Sequence, residues 1–185
     1  MPDIRLPIRT ERLVLRRFEA ADLDAFHAYH SLPGTARFLP GAAKTYTQCM
    51  ERVGHYANFV FDKEGDWVAL AIEAADSPGL IGEVVLKWLP GYGQGEVGWS
   101  LAPGARGHGY ATEAAEAVLR LGFEGLDFHR IDAKLDALNT ASAAICERLG
   151  MRLEAKHVDK WRYKGEWATE VIYAMLRDEW TARSR

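Results

Sequence analysis

The chain has 185 residues, 48% of them hydrophobic, with two cysteines and a formal net charge of −3. That length suits one domain with a proper core, and the weak, scattered charge gives no reason to expect nucleic acid or an anionic membrane as the main partner. Cys49 and Cys146 make no disulfide framework, no apolar run approaches a membrane span, and the first residues lack a signal-peptide core. The expectation is therefore a single domain over 1–185 in the reducing cytoplasm. The first predicted strand covers 11–18, where the apolar Leu13 and Leu15 fall on alternate positions. A helix follows over 21–31, stopped at Leu32-Pro33-Gly34. A second helix is expected over 47–59, with Met50, Val53 and Ala57 on its apolar face. Segments 67–73 and 80–88 read as a hairpin around Asp76-Ser77-Pro78-Gly79, and a glycine-rich loop leads to a strand over 96–101. The next helix, 110–125, sets Ala111, Ala115, Val118, Leu119 and Gly122 on one side for close packing on a sheet. A strand over 129–135 precedes a helix opened by Asn139 and capped by Gly150. Strands 151–163 and 166–176, joined at Lys164-Gly165, complete a mixed α/β pattern.

The most informative stretch runs from Trp99 to Ala114. A strand ends at Pro103-Gly104, and the loop Arg106-Gly107-His108-Gly109 opens straight into an alanine-rich helix. Backbone N–H groups at a helix start favour an anion, glycines allow close approach, and an arginine fork matches phosphate oxygens. The usual nucleotide loops do not fit. There is no Gly-Lys-Ser/Thr triplet, and Thr112 stands where a dinucleotide fingerprint needs its third glycine.

What remains, Arg106-x-x-Gly109-x-Ala111, resembles the coenzyme A pyrophosphate loop of the GCN5-related N-acetyltransferases, the GNAT superfamily. A second block, Asn139-Thr140-Ala141-Ser142 through Gly150-Met151, resembles the family's Asn-x-x-Ser helix. The opening Thr10-Glu11-Arg12-Leu13 and the closing 164–175 segment resemble the RimJ/RimL branch. The resemblance implies a mostly antiparallel, seven-stranded sheet with about four helices, splayed at the strands that flank the glycine loop and its helix. It implies acetyl-CoA as donor and coenzyme A as product, held by Trp99, Ser100, Leu101, Arg106, Gly107, His108, Gly109, Tyr110, Ala111, Thr112 and Asn139. It also implies direct transfer to an amine, with a main-chain N–H near Ser100 or Leu101 polarising the acetyl carbonyl. Homodimers are common in that branch, so a homodimer is an expectation here.

Acetyl transfer needs a neutral amine and a proton for the departing thiolate. Freeing an α-amine, with a pKa of about 7.7, costs about 1 kcal/mol at pH 7, against about 4.6 kcal/mol for a lysine side chain. A modest base therefore serves a protein N-terminus, the leading acceptor. A small amine (polyamine, amino acid or aminoglycoside) is the runner-up, and a coenzyme-binding module without turnover the third reading. Glu96, at the start of its strand, and Glu170, on the last strand where the branch usually carries an aspartate, are the candidate bases; Glu73, Glu83 and Glu166 have weaker positions. Ser142 is the candidate proton donor, with Tyr163 or Tyr173 as substitutes. Arg148 reads as a cation at a helix C-terminus, with a coenzyme contact as the alternative. Cys146 reads as a core thiol. The histidines are too scattered to suggest a metal, although His27 and His30 share a helix face. Phe38 and Trp161 are expected to line the amine pocket, Phe38 within the segment 36–40.

Overall fold

The computed structural model describes residues 4–38, 42–163 and 165–183, without the side chain of Tyr163. The predicted positions at Leu39, Pro40 and Lys164 lie outside the described residues. Strands β1 (Ile8–Arg9), β2 (Leu13–Arg16), β3 (Trp67–Ala74), β4 (Ser77–Leu89), β5 (Gln94–Leu101), β6 (Arg130–Asp136), β7 (Arg152–Tyr163) and β8 (Glu166–Leu176) form one sheet in the order β1-β2-β3-β4-β5-β6-β8-β7. Every neighbouring pair is antiparallel except β5 and β6. The helices are α1 (Leu23–His30), α2 (Pro33–Ala36), α3 (Tyr46–Ala57), α4 (Tyr110–Arg120), α5 (Thr140–Arg148) and α6 (Arg177–Arg183).

The mixed, mostly antiparallel fold agrees with expectation. The described residues add three elements to it: the two-residue β1, the short α2 and the terminal α6. Pro33 does not only end α1; it sits in the first turn of α2, where its fixed φ suits a helix start and its missing N–H costs nothing.

Each face of the sheet is apolar for a different reason. Leu13, Leu15, Leu70, Val84, Val97 and Ile131 point towards α4 and α5, where Ala114, Ala115, Val118, Leu119, Cys146 and Leu149 meet them. The predicted glycine contact is present: a Cβ on Gly122 would lie 2.5 Å from Ile131 Cδ1, so the helix chain packs closely on the strand. On the opposite face, Ala69 and Ala71 lie under Phe18, Phe26, Tyr29, Cys49, Val53 and Tyr56. Here the expected face of α3 is corrected. Met50 is 51% exposed, and Cys49, Val53 and Tyr56, spaced i, i+4 and i+7, are the buried residues.

The parallel step between β5 and β6 positions the site. The two strands pair only at Gln94–Arg130, Gly95–Ile131 and Glu96–Asp132. Beyond Glu96, β5 continues with β4 and β6 continues with β8, so the sheet splits. Alternate N–H and C=O groups of β5 from Val97 to Leu101 therefore face a gap instead of a strand.

Candidate active site

The start of α4 faces the split. Gly107 and Gly109 have φ values of +82° and +81°, a left-handed region that costs other residues about 1–2 kcal/mol. Gly109 occupies the N-cap of α4 and makes no side-chain capping bond. Two other helices are capped by side chains: Thr45 Oγ1 accepts from Gln48 N in α3, and Asn139 Oδ1 accepts from Ser142 N in α5. The first-turn N–H groups of α4 are thus left to something other than a cap, at the positive end of an 11-residue helix.

A brace between distant segments fixes that loop. Glu113 Oε1 accepts from Thr10 Oγ1 at 2.6 Å and from Arg12 N at 2.8 Å, while Arg12 Nε donates to Glu113 Oε2 at 2.7 Å. Arg12 Nη1 also donates to the His108 carbonyl at 2.9 Å. Burial pushes the Glu113 carboxyl up, but the bonds from Thr10 and Arg12 outweigh it and hold the group below the usual carboxylate range. The sequence singled out Thr10, Arg12 and Glu113 only as members of separate blocks; the fold joins them.

A cavity of about 700 Å³ runs from this loop through the split. Its walls are Trp99, Ser100 and Leu101 of β5; Arg106, Gly107, Gly109, Tyr110, Ala111 and Thr112 of the loop and α4; Asn139, Ser142, Ile145 and Arg148 of α5 and its cap; and Gly34, Thr35 and Phe38. Of the residues expected to hold a coenzyme, all but His108 line it. His108 is exposed and stacks on Tyr110, with ring centroids 5.6 Å apart. Arg106 is turned along the wall: Nε donates to the Leu101 carbonyl at 3.1 Å and Nη2 to Thr35 Oγ1 at 3.0 Å. The cation expected over the loop is thus tied to the cavity wall instead. Arg148, read chiefly as a helix-end cation, is in the wall beside Thr112. A second cavity of about 680 Å³, lined by Arg9, Arg12 and Arg120 together with Glu11, Glu113 and Glu116, shares Gly109, Thr112 and Arg148 with the first.

Ser142, the candidate proton donor, lines the cavity. The Trp99 indole N–H donates to Ser142 Oγ at 3.3 Å, which leaves the hydroxyl proton free to point elsewhere. Asn139 uses its carbonyl oxygen on the cap and keeps its NH₂ group for another acceptor. Tyr173 is buried and donates to Glu147, away from the cavity walls. Burial pushes the Cys146 thiol up to about 12, so it is an inert core thiol as expected.

The candidate bases are less well placed. Neither Glu96 nor Glu170 lines the cavity. Glu96 is held by Lys87 and, at 2.8 Å, by Lys134. Burial pushes its carboxyl up, yet the bonds from Lys134 and Lys87 win and set it below the usual range. Glu170 is only 2% exposed and pairs with Lys160 and, at 3.2 Å, with His157. Phe38 lines the cavity, but Trp161 does not; it lies 40% exposed on β7, with Lys160 over its ring. A different carboxylate shares the Glu96 face: Glu83 on β4, directly opposite Ser100.

Residues 12–152 match the acetyltransferase (GNAT) domain family, and the chain belongs to it. It is an acyl-CoA N-acetyltransferase of the GNAT fold, a family that uses acetyl-CoA. The Bacillus subtilis (strain 168) N-acetyltransferase YnaD is 33% identical over 175 residues, spanning 94% of this chain and 98% of YnaD. The crystal structure of a GNAT-family acetyltransferase from Bacillus anthracis superposes with a TM-score of 0.86 at 30% identity, covering 94% of this chain and 100% of that one. A spermidine N-acetyltransferase from Vibrio cholerae, crystallised with CoA and spermine, shares the fold with a TM-score of 0.79 at 20% identity, covering 93% and 99%. No helix among the described residues is long and apolar enough to cross a membrane.

Proposed function

We propose that the chain transfers acetyl from acetyl-CoA directly to the α-amine of a protein N-terminus, in the manner of the RimJ/RimL branch, in the cytoplasm. One observation carries this reading: the uncapped start of α4, with Gly107 and Gly109 in left-handed conformations, opens onto a cavity that passes through the split between β5 and β6. N–H groups from 107 to 112 hold the diphosphate, with Arg148, whose Nε donates to Thr112, as the nearby cation. The second cavity, with Arg9, Arg12 and Arg120, suits the remaining phosphate of the coenzyme. The β5 edge from Val97 to Leu101 offers its unpaired backbone groups to the pantetheine amides, as Asn139 offers its NH₂. When bound, acetyl-CoA supplies an activated thioester.

An N–H of that same edge polarises the acyl carbonyl. Ser142, its oxygen engaged by Trp99, gives its proton to the departing sulfur and recovers one from the acylated nitrogen, which sheds its second proton as the amide forms. The acceptor enters from the other face of the sheet, past Phe38 and Thr35. Glu83, Glu96 and Glu170 lie on that side, Glu96 and Glu170 each balanced by lysine partners. Against a polyamine, the lower cost of neutralising an α-amine favours the peptide N-terminus. Buried, unpaired Cys49 and Cys146 suit a reducing compartment.

The test is thiol release from acetyl-CoA with peptides beginning in Ser or Ala, compared with spermidine. Peptide turnover supports the reading; spermidine turnover alone moves the acceptor to small amines. Coenzyme binding with no release for any acceptor replaces the enzyme with a binding module. Ser142→Ala should slow release about 10–100-fold with acetyl-CoA affinity kept within about two-fold. An unchanged rate makes the hydroxyl a structural group.

A further inference from the structure

We propose that Glu83, paired with His30, is the group that accepts the proton of the incoming ammonium. The inference rests on the transferase reading above and assigns the one role that reading leaves without a residue.

The geometry supports it from three sides. First, Glu83 is 5% exposed and His30 2%, and His30 Nε2 lies 3.0 Å from Glu83 Oε1. The second oxygen, Oε2, is buried with no hydrogen-bond partner among the described residues. An unsatisfied buried carboxylate oxygen is costly, and folds keep one where chemistry uses it. The neighbouring inward positions on this face are Ala69, Ala71 and Val85, so an apolar residue at 83 would fit the packing at no such cost.

Second, Glu83 is one strand away from the cavity. Its cross-strand partner is Ser100, a cavity-lining residue, and paired positions present their side chains to the same face about 5 Å apart. His30 ends α1, just before the Gly34, Thr35 and Phe38 wall. Third, the other two carboxylates are committed. Glu96 is clamped by two lysines and Glu170 by a lysine and a histidine. Glu83 alone of the three faces no lysine at bonding distance among the described ion pairs and keeps a free oxygen.

The step is a proton transfer. An N–H bond of the ammonium breaks and an O–H bond forms at Glu83 Oε2, the oxygen left without a partner. The nitrogen keeps the electron pair that attacks the thioester. His30 holds the opposite oxygen and fixes the carboxylate, as a positioning residue. The ionisable groups facing the pair are Tyr29 of α1, Cys49 and Tyr56 of α3, and Lys44 before α3, with Arg52 beyond it. Burial pushes the Tyr29, Cys49 and Tyr56 groups up and the Lys44 ammonium down. The three former groups are neutral across the working range.

The experiment measures kcat/KM for the amine from pH 6 to 9, with spermidine and a Ser-initiated peptide as acceptors, and acetyl-CoA affinity by calorimetry. Glu83→Gln is expected to lower kcat/KM about 100-fold across the whole range, with acetyl-CoA affinity unchanged within about two-fold. His30→Gln is expected to lower kcat about 10-fold with the KM for the amine kept within about two-fold. Wild-type kcat/KM in Glu83→Gln overturns the proposal while leaving the transferase reading intact. If Glu83→Gln melts below the assay temperature, His30→Gln decides, and an unchanged kcat overturns the proposal. No turnover by the wild type with either acceptor overturns the transferase reading together with this one, and the calorimetry then shows whether the coenzyme site survives.

Discussion

Gly109→Val is expected to reduce acetyl-CoA affinity at least about 100-fold, read by calorimetry, because three costs fall on one residue. The position has φ +81°, which a β-branched side chain tolerates poorly. A left-handed valine either stores that strain or relaxes the loop away from it, and relaxation moves the α4 N–H groups. The added Cβ would also lie 3.3 Å from Arg12 Nη2, on the arginine that braces the His108 carbonyl and Glu113. Third in line is the ligand itself, since branched methyl groups occupy the approach that the glycine leaves bare. The fold should survive, because the core of α4 lies below the loop at Ala114, Ala115 and Val118. A folded variant with wild-type affinity would remove the loop from the coenzyme site.

Gly98→Phe is expected to separate the two substrates. Gly98 lies on β5 between Glu96 and Ser100 on the same face, opposite the face that carries Val97 and Trp99 to α4 and α5. A Cβ built there meets nothing within 4 Å, and its φ is not in the left-handed range, so a phenylalanine fits the strand without strain. Its ring would fill the open space on the acceptor side. Amine turnover should fall about 100-fold or more, while acetyl-CoA binding and the melting temperature stay near wild type. Unchanged amine kinetics would show that the acceptor does not cross β5 at this point. Lost coenzyme affinity would show that the two substrates share the space above Gly98.

The fold was largely legible because its signals are local. Alternation at Leu13 and Leu15, the alanine face of α4 and the Asn139 cap each lie within one element and appear where the pattern sets them. The glycine loop was legible for the same reason, since the strand, the glycines and the helix start follow one another within a single stretch. The misreadings need tertiary information. The face of α3 was phased on Met50, but the helix begins at Tyr46 and its burial is set by packing on Ala69 and Ala71, which favours Cys49, Val53 and Tyr56. Pro33 reads as a stop and also as a start, and only the folded chain chooses.

The same limit governed the site. Glu96 was placed on the right strand, yet its lysines come from the β4 register, where Lys87 lies opposite, and from the parallel β6. Glu83 was within view as a carboxylate on a strand. Its significance depends on a contact 53 residues away with His30 and on facing Ser100, and neither follows from spacing. Arg106 looked free in sequence and is taken by Leu101 and Thr35. Trp161 lies on a β7–β8 hairpin whose register carries two shifts in β7, so its distance from the cavity was not readable from its neighbours.

The central claim is that main-chain amides at the start of α4 hold the diphosphate of an acylated coenzyme. Titration of the wild-type protein with acetyl-CoA, followed by calorimetry alongside dephospho-coenzyme A and pantetheine, tests it most directly. The account predicts one site per chain, saturable binding of acetyl-CoA, weaker binding of dephospho-coenzyme A as the second arginine-lined cavity loses its phosphate, and no measurable heat with pantetheine, which lacks the diphosphate. No heat with acetyl-CoA, or equal affinity for acetyl-CoA and pantetheine, would contradict it.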